Sequence, residues 1–250
     1  MDELPPPVPA ATLVLMRDVP GAPPELLMME RPGHMAFAAG ALVFPGGRID
    51  PQDQAAAARL GDGGEVLAAR IAAVRETIEE TGIAPVPGLA AEQVETIRAG
   101  LFAGRDFADL LMEAGAALDL HGLVPFARWC PNFRETRRFD ATFFLAAAPD
   151  GAGVPSPQPG EVTRAFWASA RDVLAELEAD RAHAIFPTRR NLERLARYGS
   201  FAEARADAER HEVRTITPWV EEREGRSWVC IPDDLGYPVT AERLETARRR

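Results

Sequence analysis

The feature that most constrains this chain is the nine-residue stretch R-E-T-I-E-E-T-G-I at residues 75–83. Positions three and four apart share one face of an α-helix, so Glu76, Glu79 and Glu80 project together. Gly82 follows, and glycine readily takes the left-handed conformation that commonly ends a helix. The opposite side of the same helix carries the apolar residues Leu67, Ile71, Val74 and Ile78. The spacing therefore predicts a helix over about 65–81 with a buried apolar face and an acidic face.

Two interpretations of the acidic face stay open at this point. Charged residues on one helix face are commonly just solvated. Three crowded carboxylates also repel one another, and a hard divalent cation such as Mg²⁺, which takes oxygen ligands, would relieve that repulsion. The second interpretation predicts a metal site on the helix.

Composition limits the classes of function. The 250 residues carry a net charge of −10 and a pI near 5.0, which disfavours coating of nucleic acid or of an anionic membrane. All 28 basic residues are arginine, so mechanisms that need a catalytic lysine are excluded. No signal peptide or apolar run long enough to cross a membrane is visible, which predicts a cytoplasmic protein. Cys130 and Cys230 are expected to be buried free thiols.

The order of elements predicts a mixed sheet with helices on both faces. Strand patterns occur at residues 10–16, 25–30, 41–44, 123–130, 140–147 and 162–168. Residues 51–64 predict a short helix followed by a glycine loop, and further helical patterns occur at 65–81, 90–119, 171–182, 188–198 and 201–209. The helical stretch 90–119 is expected to break near Gly104. Residues 213–220 and 227–231 predict a hairpin.

The segment before the glutamate helix reads G-A-L-V-F-P-G-G-R-I-D-P-Q-D over residues 40–53. Two glycines after a strand permit a tight turn that can bring a backbone carbonyl toward a cation on the helix. Asp50 and Asp53 lie at the end of this segment. Either could add charge to a site there, and loop acids are also ordinary solvated turn formers.

The two segments together resemble the Nudix box of the Nudix hydrolases. That pattern is a glycine, five residues, a glutamate, seven residues, and then R-E-U-x-E-E-x-G-U, where U is a bulky apolar residue. Gly47 matches its first glycine, and the run from Arg75 to Ile83 matches its second half. Asp53 stands at the glutamate position, Thr77 stands at an apolar position, and the spacer 54–74 has 21 residues. An insertion here is accommodated because the cost of loop closure grows slowly with length.

The resemblance extends from about residue 10 to 238. Within the family, the chain is similar to the subgroup that contains the peroxisomal coenzyme A diphosphatases. The segments W-C-P-N-F-R-E-T-R-R-F-D-A-T-F-F-L, F-P-T-R-R-N-L-E-R-L and I-P-D-D-L-G-Y-P carry it. The coenzyme A signature also expects an arginine four residues before Gly40, where this chain has Ala36. The resemblance implies a single α/β Nudix-type domain over 1–250. This domain would be an α/β/α sandwich with insertions near 54–64 and 88–121 and a helical and hairpin extension from about 180.

The resemblance also implies a reaction, the hydrolysis of a P–O–P bond in a nucleoside diphosphate linked to another moiety, with Mg²⁺ or Mn²⁺. Glu76, Glu79, Glu80 and the Gly47 carbonyl would hold the cation. Arg75 would pair with a glutamate, most naturally Glu79, and orient it for catalysis. The residues that the resemblance implies for catalysis are Glu76, Arg75 and Glu79.

Other candidate residues have open roles. Glu161 and Asp53 are candidates for an additional ligand or base, or are plain loop acids. Arg134, Arg137 and Arg138 would bind substrate phosphates, since arginine forks suit phosphate oxygens, or would be exposed charges at a strand edge.

The implied partner is a small nucleotide substrate, with coenzyme A or an acyl-coenzyme A as the subgroup's choice. An ADP-ribose or NADH pyrophosphatase is the alternative, and a non-catalytic nucleotide-binding module is a third. A homodimer is also an expectation from the resemblance.

Overall fold

A mixed β-sheet lies at the centre of the protein. We describe a computed structural model over residues 5–35, 38–60, 64–116, 119–132 and 138–249. The strands of the sheet are β1 (Val8–Val19), β2 (Ala22–Glu30), β3 (Leu42–Val43), β4 (Gly46–Arg48), β5 (Val124–Trp129), β6 (Phe139–Ala147), β7 (Arg164–Ser169) and β8 (Thr215–Ile216). Their order is β3-β2-β1-β6-β5-β8, with β4 beside β1 and β7 beside β2. The pairs β1–β6 and β5–β8 are parallel and the others antiparallel, so the predicted mixed sheet is confirmed.

Helices cover both faces of this sheet. One face carries α1 (Pro51–Leu60), α2 (Gly64–Thr81), α3 (Ala91–Phe102) and α4 (Phe107–Glu113), and the other carries α5 (Ala170–Glu178), α6 (Phe186–Leu195) and α7 (Phe201–Arg210). Side chains alternate between the faces of a strand, so Leu13 and Leu15 of β1 join the first core, while Val14 and Met16 join the second. The fold is thus the α/β/α arrangement expected from the sequence.

The glutamate helix is α2, and its apolar stripe packs on the sheet as predicted. Ile71, Val74 and Ile78 are fully buried, and Leu67 is half-buried against the same core. Thr77, at the apolar position of the motif, is also buried, and its hydroxyl donates to the Ala73 carbonyl at 2.7 Å. A threonine is accommodated at this buried position because its hydroxyl has a hydrogen-bond partner.

The helix ends where the sequence predicts it. Gly82 has φ +67°, and its N–H donates to the Ile78 carbonyl at 2.9 Å. A residue with a side chain is strained in this left-handed region, so glycine lets the chain leave the helix there.

The C-terminal part differs from the predicted hairpin. Residues 215–216 form β8 and join the main sheet beside β5, and the hairpin instead joins β9 (Trp219–Arg223) to β10 (Arg226–Cys230). Pro218 lies between β8 and β9, and a proline interrupts a hydrogen-bonded strand because it has no N–H. Glu224 and Gly225 both have positive φ, as a two-residue hairpin turn requires.

Two elements at the end of the chain had no counterpart in the sequence prediction. Strand β11 (Ala241–Arg243) pairs antiparallel with β10, and helix α8 (Leu244–Arg249) follows it directly. Cys130 and Cys230 are buried and unpaired, as expected. Within the described ranges, no helix is long and apolar enough to cross a membrane.

Candidate active site

The acidic face of α2 borders a cavity of about 950 Å³. Glu76 and Glu80 line this cavity, together with Gly46, Gly47 and Arg48 of β4. The Glu80 residue is 5% exposed, and the side chains of Glu76 and Glu79 are 16% and 22% exposed. The three glutamates are therefore not spread over a solvated helix surface. Glu76 and Glu80 lie at the wall of a pocket, where a charged ligand gains more than it does in open water, and Glu79 lies beside them on the same helix.

Arg75 connects the glutamates to the upstream segment. Its guanidinium makes two hydrogen bonds of 2.9 Å with the Asp53 carboxylate and a third of 2.9 Å with Glu76 Oε1. Glu79, the partner expected from i,i+4 spacing, is in ion-pair contact at 3.6 Å. Arg75 is 3% exposed, and such a two-pronged pair to a buried carboxylate fixes the guanidinium plane as well as its charge. The main anchor is thus Asp53, which lies 22 residues away along the chain.

Asp53 has little capacity left for another ligand. Both of its oxygens accept from Arg75, and Oδ2 also accepts from the Asp50 N–H at 2.8 Å. Its side chain has no exposed surface. This geometry favours a positioning role over the role of base or cation ligand considered for it in the sequence.

The glycine pair makes room for two of the glutamates. The N–H of Gly46 donates to Glu80 Oε2 at 2.9 Å. Gly47 lies against the Glu76 carboxylate, and a Cβ built at Gly47 would overlap the atoms of that carboxylate. Any larger residue at this position must move Glu76, which explains in steric terms why a glycine stands here.

The last turn of α2 is held by a neighbouring helix and loop. Arg98 of α3 donates to the Glu79 carbonyl at 2.9 Å and to the Ser156 carbonyl at 2.6 Å. The N–H groups of Ser156 and Gln158 donate to the carbonyls of Thr81 and Glu80 at 2.8 and 3.0 Å. Helix C-termini leave carbonyls without intrahelical partners, and here the protein supplies those partners. The glutamates therefore project from a fixed helix end.

The crowding of the carboxylates shows in their pKa values. Burial and the nearby Glu79 charge raise the pKa of Glu76 to about 7 although Arg75 opposes the shift. Burial also raises the pKa of Glu79, and burial together with the Glu76 charge raises that of Glu80 well above its ordinary value. Burial lowers the pKa of Arg75, but its contacts with Asp53 and Glu76 outweigh this and keep the pKa above its usual value. Burial is thus the main cause of the upward shifts in the pKa values of the three glutamates.

This donor set suits a divalent cation that brings other ligands with it. In the described part of the chain, no three His, Cys, Asp or Glu side chains form a ready metal-binding group. Mg²⁺ usually takes only one or two carboxylates and completes its shell with water and substrate phosphates, so a full protein cage is not required. Carboxylates with raised pKa values at a cavity wall fit a cation of this kind.

Other candidates from the sequence also border the cavity. Glu161 lies in the loop before β7 and lines the same cavity, and its charge contributes to the raised pKa values of Glu79 and Glu80. Arg138 lines the same cavity. Arg134 and Arg137 lie outside the described residues.

Sequence reasoning missed Arg31, which follows β2 and lines the cavity. Its charge opposes the upward shift in the pKa of Glu80. The Nε atoms of Arg31 and Arg138 are buried and have no hydrogen-bond partner among the residues that the structure covers. Two guanidiniums that line one cavity suit an anion. The available signal was its place directly after the strand predicted at residues 25–30.

The comparisons with known proteins agree with this geometry. No family model matches the chain. The chain is 27% identical over 248 residues to the human acyl-coenzyme A diphosphatase NUDT19, and the alignment covers 74% of this chain and 65% of that protein. The chain thus spans less than two thirds of the length of that relative. It also resembles the crystal structure of a NUDIX hydrolase from Alicyclobacillus acidocaldarius, with a TM-score of 0.70, 29% identity, and coverage of 80% of this chain and 96% of the other.

Both similarities agree with the observed fold, a mixed sheet with helices on both faces. The mixed α/β architecture is the Nudix hydrolase fold, and the two matches support a Nudix hydrolase enzyme.

Proposed function

We propose that this chain is a cation-dependent hydrolase, built as one domain with the Nudix hydrolase fold. It cleaves the P–O–P bond of a nucleoside diphosphate linked to another moiety. The observation that carries this proposal is the pair Glu76 and Glu80 at the cavity wall, with Glu79 in ion-pair contact with Arg75 and Arg75 fixed between Asp53 and Glu76. A solvated acidic face would not need a buried anchor. A non-catalytic nucleotide-binding module would not need to keep all three carboxylates.

The residues divide the work as follows. Glu76, Glu79, Glu80 and the Gly47 carbonyl would hold Mg²⁺ or Mn²⁺. When bound, such a cation neutralises diphosphate charge and lowers the pKa of a water molecule that attacks phosphorus. Arg75 keeps Glu76 and Glu79 in their ligating rotamers, and Asp53 keeps Arg75 in place.

Other residues that line the cavity supply further groups. Glu161 is our candidate for an additional ligand or general base, since its charge acts on Glu79 and Glu80 and it is exposed to solvent. Arg138 and Arg31, which line the cavity, would bind the substrate phosphates with their guanidinium groups. Arg134 and Arg137 remain candidates for the same task.

For the substrate, we propose coenzyme A or an acyl-coenzyme A. The similarity to a human acyl-coenzyme A diphosphatase supports this choice. ADP-ribose and NADH are the alternatives. A homodimer remains an expectation carried over from the family resemblance.

The experiment is a comparison of Glu79→Gln with Glu65→Gln in the presence of Mg²⁺. Glu65 lies on the same helix but is exposed at its first turn, away from the cavity, so it is a matched control. We expect Glu79→Gln to lower kcat/KM for coenzyme A about a hundredfold, because several kcal/mol of charge stabilisation depend on the cation. Equal activity of the two variants would contradict the proposed cation site.

A further inference from the structure

The cavity beside the glutamates has a second wall of a different chemistry. In β1, Ala10 and Thr12 line the cavity from the face of the sheet opposite to α2. On that face the cavity is bordered by α6, β10 and α8. The wall is mainly apolar and includes Trp129, Phe143, Ile185, Phe186, Val229 and Leu244. The cavity therefore joins a charged end to an apolar end.

Helix α8 is held in this wall by the strand before it. In β11, Glu242 lies opposite Val229 of β10 and makes a 3.0 Å ion pair with Arg190 of α6. Both side chains are largely buried, at 13% and 2% exposure. Removing one partner from such a pair is costly, so β11 is fixed against α6. Leu244 and Ala247 of α8 consequently face the cavity from a defined position.

The apolar wall offers few hydrogen bonds to a ligand. Among the described lining residues on this side, the side chains that carry a hydroxyl or a charge are Thr12, Thr188 and Arg138. A ribose or second nucleoside placed here would bury hydroxyl groups without partners, which is unfavourable. A flexible aliphatic arm would gain from the same burial, by roughly fourfold in affinity for each methylene.

We propose that the wall formed by α6, β10 and α8 binds the non-nucleotide arm of the substrate and selects an arm that is largely aliphatic over a sugar or a second nucleoside. This inference rests on the proposed diphosphate hydrolysis and adds which residues contact the second moiety. Leu244 and Ala247 are its specificity-determining residues. The C-terminal segment of the chain, outside the Nudix box, thus sets the choice among the diphosphates that the glutamates can cleave.

The test compares kcat/KM for coenzyme A, ADP-ribose and NADH in the full chain and its variants. Ala247→Trp fills the apolar end, and Leu244→Ala widens it. Ala206→Trp on α7 and Leu60→Ala on α1 are matched controls, because both positions are exposed and lie outside the cavity. Thermal melting of each variant shows whether it is folded.

We expect the unmodified chain to prefer coenzyme A. We expect Ala247→Trp to lower the ratio of kcat/KM for coenzyme A to that for ADP-ribose at least about tenfold, and the two control variants to leave it unchanged. Leu244→Ala should raise KM for coenzyme A with little effect on kcat, since it removes binding contacts far from phosphorus.

Three results would overturn the inference while leaving the proposed function intact. They are a preference of the unmodified chain for ADP-ribose or NADH, an unchanged ratio in both cavity variants, and an equal loss for all substrates in a folded Ala247→Trp variant. Failure of the unmodified chain to cleave any diphosphate would instead contradict the proposed function itself.

Discussion

The two walls of the cavity differ in how the chain builds them. The charged wall comes from the short strand β4 and from α2, and its key contacts are hydrogen bonds and ion pairs of about 2.9 Å. The apolar wall comes from α6, β10 and α8, which are brought together by sheet pairing and one buried ion pair. In our account the first wall determines which bond is cleaved, and the second determines which molecule carries that bond. Changes in the first wall should therefore affect all substrates alike.

Gly47→Ala gives the largest effect expected from that comparison. Its Cβ would overlap the Glu76 carboxylate, so the ligand must leave its position. We predict a loss of kcat/KM of about a hundredfold or more for coenzyme A and ADP-ribose alike. Steady-state hydrolysis with both substrates measures it. Gly122→Ala is the control, because a Cβ there meets no atom. A loss confined to one substrate would break the division between the two walls.

Asp53→Ala should lower activity less than Gly47→Ala does, and it should strongly lower the free energy of unfolding. The variant leaves the buried Arg75 with Glu76 and Glu79 but without its two-pronged partner, and we expect a loss of about 3–5 kcal/mol in the free energy of unfolding. Activity should fall about 10- to 100-fold for every substrate, as is usual when a residue that orients a metal ligand is removed. Urea denaturation and hydrolysis assays measure the two effects.

The control for Asp53 is an ion pair of similar length at the surface. Arg205 and Glu209 are 2.8 Å apart, and both side chains are about half exposed. Glu209→Ala should change the free energy of unfolding by less than about 1 kcal/mol. If the two variants lost the same stability, the anchoring role of Asp53 would be wrong.

The charged wall could largely be predicted from the sequence because its information is local. Helical spacing alone brings Glu76, Glu79 and Glu80 to one face, and Gly82 marks the end of the helix. The partner of Arg75 was harder to predict. The i,i+4 rule points to Glu79, whereas the main partner is Asp53, which tertiary folding brings to Arg75 from 22 residues upstream. Local spacing predicts which residues share a face, but it does not predict which distant residue reaches that face.

The apolar wall could not be predicted in the same way. Strand β11 and α8 are short, and their positions depend on pairing with β10 and on the ion pair between Glu242 and Arg190. The hairpin forms from β9 and β10 and not from the predicted residues 213–220 and 227–231. Pro218 ends β8, and β8 pairs with β5 in the main sheet. Arg31 was missed for a related reason, since only the folded chain brings it to the cavity that the glutamates border. Each of these features is a long-range contact.

The most direct test of the account is calorimetric titration of Mn²⁺ into the unmodified chain, Glu76→Gln and Glu65→Gln. If the glutamates at the cavity wall hold the cation, Glu76→Gln should weaken Mn²⁺ binding at least about tenfold, and Glu65→Gln should bind like the unmodified chain. Equal Mn²⁺ affinity in all three proteins would contradict the central claim that this helix is a cation site.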